Sequence, residues 1–291
     1  MKSMQVKDTL FYNKRTINCN GKIIDLANPK LMAIINITPD SFYDKSRYNT
    51  EDQIRQRTIQ CIEEGADIID VGAYSSRPGA SDITAKEEIS RLDKALKIIR
   101  KISQYFVISV DTFRSEVARY IIQNYAVNII NDISGGQLDE KIYEVALKEN
   151  VSYIAMHMKG NPQNMQNNPK YNDVVTEIIT YFAYLTEKLN KIGLNDVIID
   201  PGFGFGKTLD HNYEILNKLQ DIKKMINRPL LAGISRKSMI YKLLNVTPEE
   251  SLTGCIALNM TCLMNGADIL RVHDVKETKQ VIQLYNSLNK R

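Results

Sequence analysis

The chain has 291 residues, of which 43% are hydrophobic and 25% are charged, and its net charge is +4. The hydrophobic fraction is enough for a large core and excludes a disordered chain. The charge is mild and dispersed, so we expect no nucleic-acid binding. No apolar stretch is long enough to span a membrane, and residues 1–15 lack the apolar segment of a signal peptide. The four cysteines form no C-x-x-C pair, which predicts reduced thiols in a cytoplasmic protein.

The first 30 residues predict a β-hairpin. Asn20-Gly21 separates two short strand-like segments, 16–19 and 22–25, and this dipeptide is typical of a tight hairpin turn. We expect residues 1–30 to form an extension that plugs one end of a single domain spanning 1–291.

Eight short apolar runs follow, and nearly all of them end in a charged or amide residue. In chain order the runs end at Asn36, Asp70, Asp111, Asn131, His157, Asp200, the segment Ser235-Arg236-Lys237, and the segment Arg271-Val272-His273. Each run has the length and composition of a buried β-strand.

Helical patterns with readable starts separate these runs. Capping patterns occur at Thr50 to Gln53, Thr84 to Glu87, Thr247 to Glu250 and Asp274 to Glu277. The alternation of strands and helices implies a parallel α/β sheet, and an open doubly wound sheet would share it. Eight units with polar residues at their ends favour a closed (β/α)₈ TIM barrel, in which those ends converge on one face.

The loops after the first two strands allow two interpretations. Asn36 to Phe42 contains Thr-Pro-Asp-Ser, which suits a simple turn, but the loop continues as a long polar segment of the functional kind. Gly72 to Gly79 has glycines that permit close backbone approach, and Arg77 is either an anion contact or a solvated side chain.

Asp111, Asn131 and Asp200 form a stronger set. Any one of them alone could cap the next helix, but three at one barrel mouth suggest a ligand. Two carboxylates and an amide suit the N–H-rich edge of an aminopyrimidinone ring, and they could equally hold a divalent metal.

Residues 200–208 end in Gly-Lys-Thr but do not form a nucleotide-phosphate loop. The P-loop pattern requires glycine at the position of Pro201, and Gly202, Gly204 and Gly206 alternate instead of following G-x-G-x-x-G. A mobile or closely packed loop fits better, with Phe205 offering a flat apolar face to a ring.

The last two strand ends predict an anion site. Lys237 follows the seventh strand, and Arg271 and His273 lie on the same side of the eighth. Loops after strands seven and eight form the usual phosphate site of these barrels. With three histidines a zinc site is improbable, and no activated nucleophile stands out. We assign no chemistry to Asp70 or His157 and expect them to be structural.

These segments, in this order, resemble the motifs of the dihydropteroate synthase family. The matching segments are Asn36 to Phe42, Ser76 to Gly79, Asp111-Thr112, Asn131-Asp132, Asp200 to Thr208, Ser235 to Lys237 and Arg271 to His273. Each is weak alone, but the ordered set is specific, and the resemblance runs from about Leu31 to the end. It implies a transferase of folate biosynthesis that joins 7,8-dihydropterin-6-ylmethyl diphosphate to p-aminobenzoate and releases diphosphate.

The resemblance also implies residue roles. Asn36 is similar to the family's Mg²⁺ ligand. The residues that match pterin diphosphate contacts are Ser76, Asp111, Asn131, Met156, Asp200, Lys237, Arg271 and His273. Those that match p-aminobenzoate contacts are Phe42, Ser76, Pro78, Phe205, Lys237 and Ser238. The residues we expect to be catalytic are Asp111, Lys237, Arg271 and His273.

Two departures from the family pattern stand in the first two loops. Lys45-Ser46 replaces the usual Gly-Gly, and Tyr74 stands where Glu is common. They bear on loop closure and on the response to sulfonamides, which inhibit the family. The family expectation for assembly is a homodimer.

Two rival functions would share part of this pattern. A methyltetrahydrofolate methyltransferase would share the pterin pocket but has no need of the set Lys237, Arg271 and His273. A non-catalytic pterin-binding protein would not need complete loops at the catalytic face.

Overall fold

The computed structural model describes residues 16–37, 50–75, 82–160, 165 and 169–289. The strands are β1 Thr16–Cys19, β2 Lys22–Asp25, β3 Lys30–Asn36, β4 Ile68–Gly72, β5 Val107–Asp111, β6 Ile129–Asp132, β7 Ser152–Met156, β8 Val197–Asp200, β9 Leu231–Ala232 and β10 Ile269–Val272. The helices are α1 Glu51–Glu63, α2 Ala85–Ile102, α3 Ser115–Tyr125, α4 Ile142–Lys148, α5 Val174–Lys191, α6 Leu209–Asn217, α7 Leu219–Ile226, α8 Ser238–Leu244, α9 Leu252–Met264 and α10 Val275–Leu288. A 3₁₀ turn, Glu249–Ser251, precedes α9.

Strands β3 to β10 form the predicted parallel barrel. Their order in the sheet is β8-β7-β6-β5-β4-β3-β10-β9. A parallel bridge between Ile199 and Leu230 joins β8 to the start of β9 and closes the ring. The prediction of a (β/α)₈ barrel is therefore confirmed, and the carboxyl ends of all eight strands face the same side.

The predicted helix starts are found, with two differences. Thr50 and Gln53 form a reciprocal capping box at α1, and the Thr84 hydroxyl accepts from the backbone N–H of Glu87 at α2.

The two differences lie at Thr247 and at Asp274. At Thr247 the reciprocal hydrogen bonds with Glu250 form, but they open the 3₁₀ turn, and α9 begins only at Leu252. Asp274 precedes α10 but makes no side-chain cap. Its carboxylate instead accepts from Arg236 Nη2 at 2.6 Å. A charged partner from another loop outcompetes the backbone N–H groups there.

The N-terminal hairpin plugs the amino-terminal end of the barrel, as expected. β1 and β2 pair antiparallel, and Ile17, Cys19 and Ile24 are buried. They belong to one apolar cluster to which every barrel strand contributes one residue: Met32, Ile68, Val107, Ile129, Ile154, Ile198, Leu231 and Ile269. Within the described residues, the other members of this cluster come from the hairpin and from Leu26 just after it, so the hairpin completes the core at this end.

We expect Ile17→Ala to destabilise the protein by about 2–4 kcal/mol, because this side chain is fully buried and its removal leaves a cavity. Urea unfolding measures the change. Ile23→Ala in the same hairpin is the matched control: Ile23 is 71% exposed, so it should change stability by less than about 0.5 kcal/mol. Equal effects would contradict the plug.

A larger core fills the space between the barrel and the surrounding helices, with Leu92, Leu96 and Ile99 of α2 fully buried. Within the described ranges, no helix has the length and apolarity required to cross a bilayer.

Candidate active site

A cavity of about 420 Å³ lies at the carboxyl ends of the barrel strands. Its volume is in the range of sites for small organic ligands. The predicted site residues that the structure describes all line it: Asn36, Asp111, Asn131, Met156, Asp200, Phe205, Lys237, Ser238, Arg271 and His273. Phe42, Ser76 and Pro78 lie outside the described residues, as do Arg77 and Lys45-Ser46.

The strand register brings three of these side chains to one level. Asn36 pairs with Gly72, Gly72 with Asp111, and Asp111 with Asn131 across adjacent strands. A Cβ at Gly72 would lie 3.3 Å from Asn36 Oδ1 and 3.6 Å from Asp111 Cβ. Glycine at position 72 therefore keeps open the space between the amide and the carboxylate.

Asp70 lies at the centre of the charged network, although the sequence argument assigned it no chemistry. It is fully buried, and its Oδ2 accepts from Arg271 Nε at 2.7 Å and from Asn131 Nδ2 at 3.1 Å. Arg271 also donates from Nη2 to Asp111 Oδ2 at 3.1 Å. One feature of the sequence could have pointed to Asp70: it is a carboxylate inside an apolar strand, and such a group is rarely buried without a partner.

The contact with Asp70 determines which atom of Asn131 faces the cavity. Because Nδ2 donates to Asp70, the amide oxygen remains to accept from a ligand. Together with Asp111 and Asp200 this oxygen makes an acceptor-rich wall. Burial raises the pKa of Asp111, and the nearby Arg271 opposes that shift. Burial likewise raises the pKa of Asp200, opposed by Lys237.

The loop after β8 packs closely against the end of β7, which agrees with the second of its two predicted forms. Gly202 has φ +71°, and a Cβ there would lie 2.1 Å from the carbonyl oxygen of His157. Lys207 is buried, and its Nζ contacts His157 Nδ1 at 3.1 Å and donates to the Phe205 carbonyl at 3.0 Å. Its Nζ is thus used to join the loop to the end of β7 and not to bind a nucleotide phosphate.

Arg236 holds the segment that presents Lys237. Arg236 has φ +54°, a conformation that costs a non-glycine residue about 1–3 kcal/mol. Its side chain offsets this by donating to the carbonyl of Pro248 at 2.7 Å and to Asp274. Lys237 Nζ then lies 2.5 Å from the Phe203 carbonyl and 4.8 Å from the Phe205 ring centre. Burial lowers the pKa of Lys237 to about 8.

One side of the cavity is apolar. Ile133, Met156, Met158 and Met165 form a buried cluster against which Phe113 and Phe205 pack. Methionine and aromatic side chains adapt well to a flat ring.

Tyr74, which departs from the family pattern, also lines the cavity. Its ring packs edge-on against Phe113 at 5.1 Å, and the Arg114 guanidinium lies 5.2 Å from the ring centre. The aromatic ring and the cation thus contact each other where the family usually carries a carboxylate.

The residues at the carboxyl ends of β3 and β5 fit a Mg²⁺ ion that arrives with a ligand better than a permanently bound metal. Among the described residues no three His, Cys, Asp or Glu side chains are grouped as a metal site. Asn36 Oδ1 and Asp111 Oδ2 nevertheless flank the space that a Cβ at Gly72 would fill. Mg²⁺ prefers such hard oxygens and commonly completes its shell with water and substrate phosphates.

Comparison with known proteins places the chain in a family. A model of pterin binding enzymes matches residues 32–273. Dihydropteroate synthase from Escherichia coli K12 is 42% identical over 269 residues, covering 91% of this chain and 93% of that protein. The corresponding enzyme of Haemophilus influenzae is 36% identical over 92% of this chain and 97% of its own length.

Comparison with solved structures gives the same family as the sequence comparisons. Dihydropteroate synthase from Yersinia pestis in a sulfonamide complex superposes with a TM-score of 0.87 at 38% identity, covering 94% of this chain and 98% of that one. The Thermus thermophilus enzyme in complex with 4-aminobenzoate gives a TM-score of 0.84 at 32% identity, covering 94% and 100%. This chain is a member of the pterin-binding enzymes and, within them, of the dihydropteroate synthase family.

Proposed function

We propose that the protein transfers the 7,8-dihydropterin-6-ylmethyl group from its diphosphate to the amine of p-aminobenzoate, releasing diphosphate. The observation that carries this proposal is the pairing of two unlike groups in one cavity. The acceptors Asp111, Asn131 and Asp200 suit the pterin ring, while Lys237, Arg271 and His273 supply the donors for an anion. Family membership supports the same reaction.

The proposed reaction requires electrostatic stabilisation and does not require a nucleophile on the protein. The carbon–oxygen bond to diphosphate breaks and its electron pair leaves with the oxygen. The neutral amine of p-aminobenzoate then forms the new carbon–nitrogen bond and loses a proton to solvent. Arg271 and His273 stabilise the charge that grows on the leaving oxygen, and the carboxylates of Asp111 and Asp200 stabilise the electron-poor pterin. Cleavage before attack is part of the proposal.

We assign the p-aminobenzoate side to Phe205, Lys237 and Ser238, together with Phe42, Ser76 and Pro78. Lys237 lies beside the Phe205 ring, so one cation serves both substrates. Its charge suits the carboxylate of p-aminobenzoate as well as the pterin carbonyl.

We also propose that Mg²⁺ takes part, held by Asn36 and by the diphosphate. When bound it would neutralise charge on the leaving group. The support is the pair of oxygens, from Asn36 and Asp111, that border the opening at Gly72.

A homodimer is the assembly we propose, formed through the outer face of α9. This helix carries no charged residue, and Met264 at its end is 57% exposed. Leu244 of α8 and Leu284 of α10, which are 51% and 62% exposed, add to the apolar surface. Exposed apolar surface of this kind is typical of an interface. Sedimentation velocity measures the oligomeric state.

We place the protein in the cytoplasm. Its four cysteines are all buried and unpaired. Free thiols suit a reducing compartment.

The reaction is tested with the purified protein, both substrates and Mg²⁺. We expect diphosphate and dihydropteroate to appear in equal amounts. When p-aminobenzoate is omitted, no dihydropteroate should form, and diphosphate should appear only at the rate of slow hydrolysis. Omitting Mg²⁺ and adding a chelator tests the metal separately. Tight pterin binding with no diphosphate release would favour a binding protein over a synthase.

A further inference from the structure

His273 is held on both sides of its own backbone. Its N–H donates to Ser235 Oγ at 3.2 Å, and its carbonyl accepts from Arg57 Nη2 at 2.5 Å. The same Ser235 Oγ lies 3.1 Å from Nδ1 of the His273 ring. Ser235 and Arg57 are 6% and 8% exposed, so water competes little for these contacts.

The number of available hydrogens decides which group donates in the contact between Ser235 Oγ and His273 Nδ1. The backbone N–H of His273 can only donate, so Ser235 Oγ accepts there. Among the described residues Ser235 has no hydrogen-bond partner other than His273. If Nδ1 carried the proton, the Ser235 hydroxyl would accept twice and its own hydrogen would lack an acceptor. A buried unpaired hydroxyl costs about 1–3 kcal/mol. The hydroxyl therefore donates to a bare Nδ1, and the ring proton sits on Nε2.

The surroundings keep this ring neutral. The pKa of His273 is lowered to about 3, chiefly by burial and then, in decreasing order, by the positive charges of Arg271, Arg236, Arg57 and Lys237. A neutral ring has one donor and one acceptor, so the choice of tautomer decides what His273 can offer to an anion.

We propose that Ser235 is a positioning residue that fixes His273 as the Nε2–H tautomer, so that the neutral ring donates a hydrogen bond to the departing diphosphate. The role toward diphosphate rests on the proposed function, whereas the tautomer does not. Arg57 supports the same geometry, because it holds the carbonyl of His273 from α1. The sequence pointed to Ser235 only as part of the segment Ser235-Arg236-Lys237 and did not point to Arg57, since both act on His273 through contacts distant in the chain.

The tautomer can be measured directly by ¹⁵N NMR of the ring nitrogens. The chain has three histidines, and a His273→Gln variant identifies the signals of His273. We expect Nε2 protonated and Nδ1 bare in the wild type. Ser235→Ala should shift His273 toward the Nδ1–H form, and Ser235→Thr, which keeps a hydroxyl, should restore the wild-type pattern. A proton on Nδ1 in the wild type would overturn the proposal.

Ser152→Ala is the matched control. Ser152 is also fully buried, and its hydroxyl donates to the Asn18 carbonyl at 2.9 Å, at the hairpin end of the barrel. Its removal should leave the His273 signals unchanged, while a change equal to that of Ser235→Ala would contradict a direct contact.

Kinetics test the second half of the proposal. Ser235→Ala should lower kcat about tenfold, the effect of one hydrogen bond, and leave the KM for p-aminobenzoate unchanged. An unchanged kcat would remove Ser235 from the reaction. The NMR result does not depend on turnover: an inactive wild-type protein with the Nε2–H tautomer would overturn the proposed function and not the role of Ser235 in setting the ring.

Discussion

Replacing Arg271 with alanine is expected to lower kcat/KM for the pterin diphosphate by on the order of 10²- to 10³-fold, as removal of a main charge-stabilising donor does. Binding of the free pterin should fall much less, because that ligand carries no diphosphate. Calorimetric titration with each ligand measures the two losses. Equal losses would contradict the assignment of Arg271 to the anion.

The structure adds a second consequence of the same change. Arg271 is the cation between Asp70 and Asp111, at 2.7 and 3.1 Å. Without it the Asn131 amide is the one hydrogen-bond partner left to the buried Asp70 carboxylate among the described residues, so we expect about 3 kcal/mol of destabilisation. The pKa of Asp111, already raised by burial, should rise further.

A double variant separates stability from binding. Asp70→Asn combined with Arg271→Ala removes the buried charge together with its partner, so it should recover part of the lost stability in urea unfolding. Diphosphate binding should stay weak, because the cation is still missing. Recovery of binding in the double variant would show that Arg271 acts only through the fold.

The barrel and the position of its site followed from periodicity. Apolar runs such as 33–35 and 197–199 end in polar residues, and the parallel register then brings Asn36, Asp111 and Asn131 to one level. Local patterns also predicted the helix starts at Thr50 and Thr84, because a capping box depends on residues three apart.

Contacts between distant residues could not be predicted in this way. Asp70 meets Arg271 across 201 residues, and Ser235 meets His273 across 38. No local pattern encodes such pairs, since they depend on which strands become neighbours around the ring. At Asp274 a distant contact replaces the one that the local pattern predicts. Its position predicts a helix cap, yet Arg236 takes its carboxylate because a buried guanidinium needs a charged partner more than a helix end does.

Lys237 should set the alkaline limit of activity. Burial lowers its pKa to about 8, with Asp200 opposing the shift, whereas an exposed lysine titrates near 10.4. The protonated form prevails below that pKa and supplies the charge that both substrates need. We therefore expect kcat/KM to fall as the pH rises through about 8. The measurement is a pH profile of kcat/KM at constant ionic strength.

Two variants distinguish this cause from general loss of structure. Lys237→Arg stays charged, because arginine titrates above 12, so its activity should persist to higher pH even if its maximum is lower. Lys237→Met should lose on the order of 10²-fold in kcat/KM and should also lose the decline near pH 8. The decline would have to belong to another group if it remained unchanged in the methionine variant. In that case the ammonium, which lies between the Phe203 carbonyl and the Phe205 ring, would serve to hold the loop after β8 and not to meet the substrates.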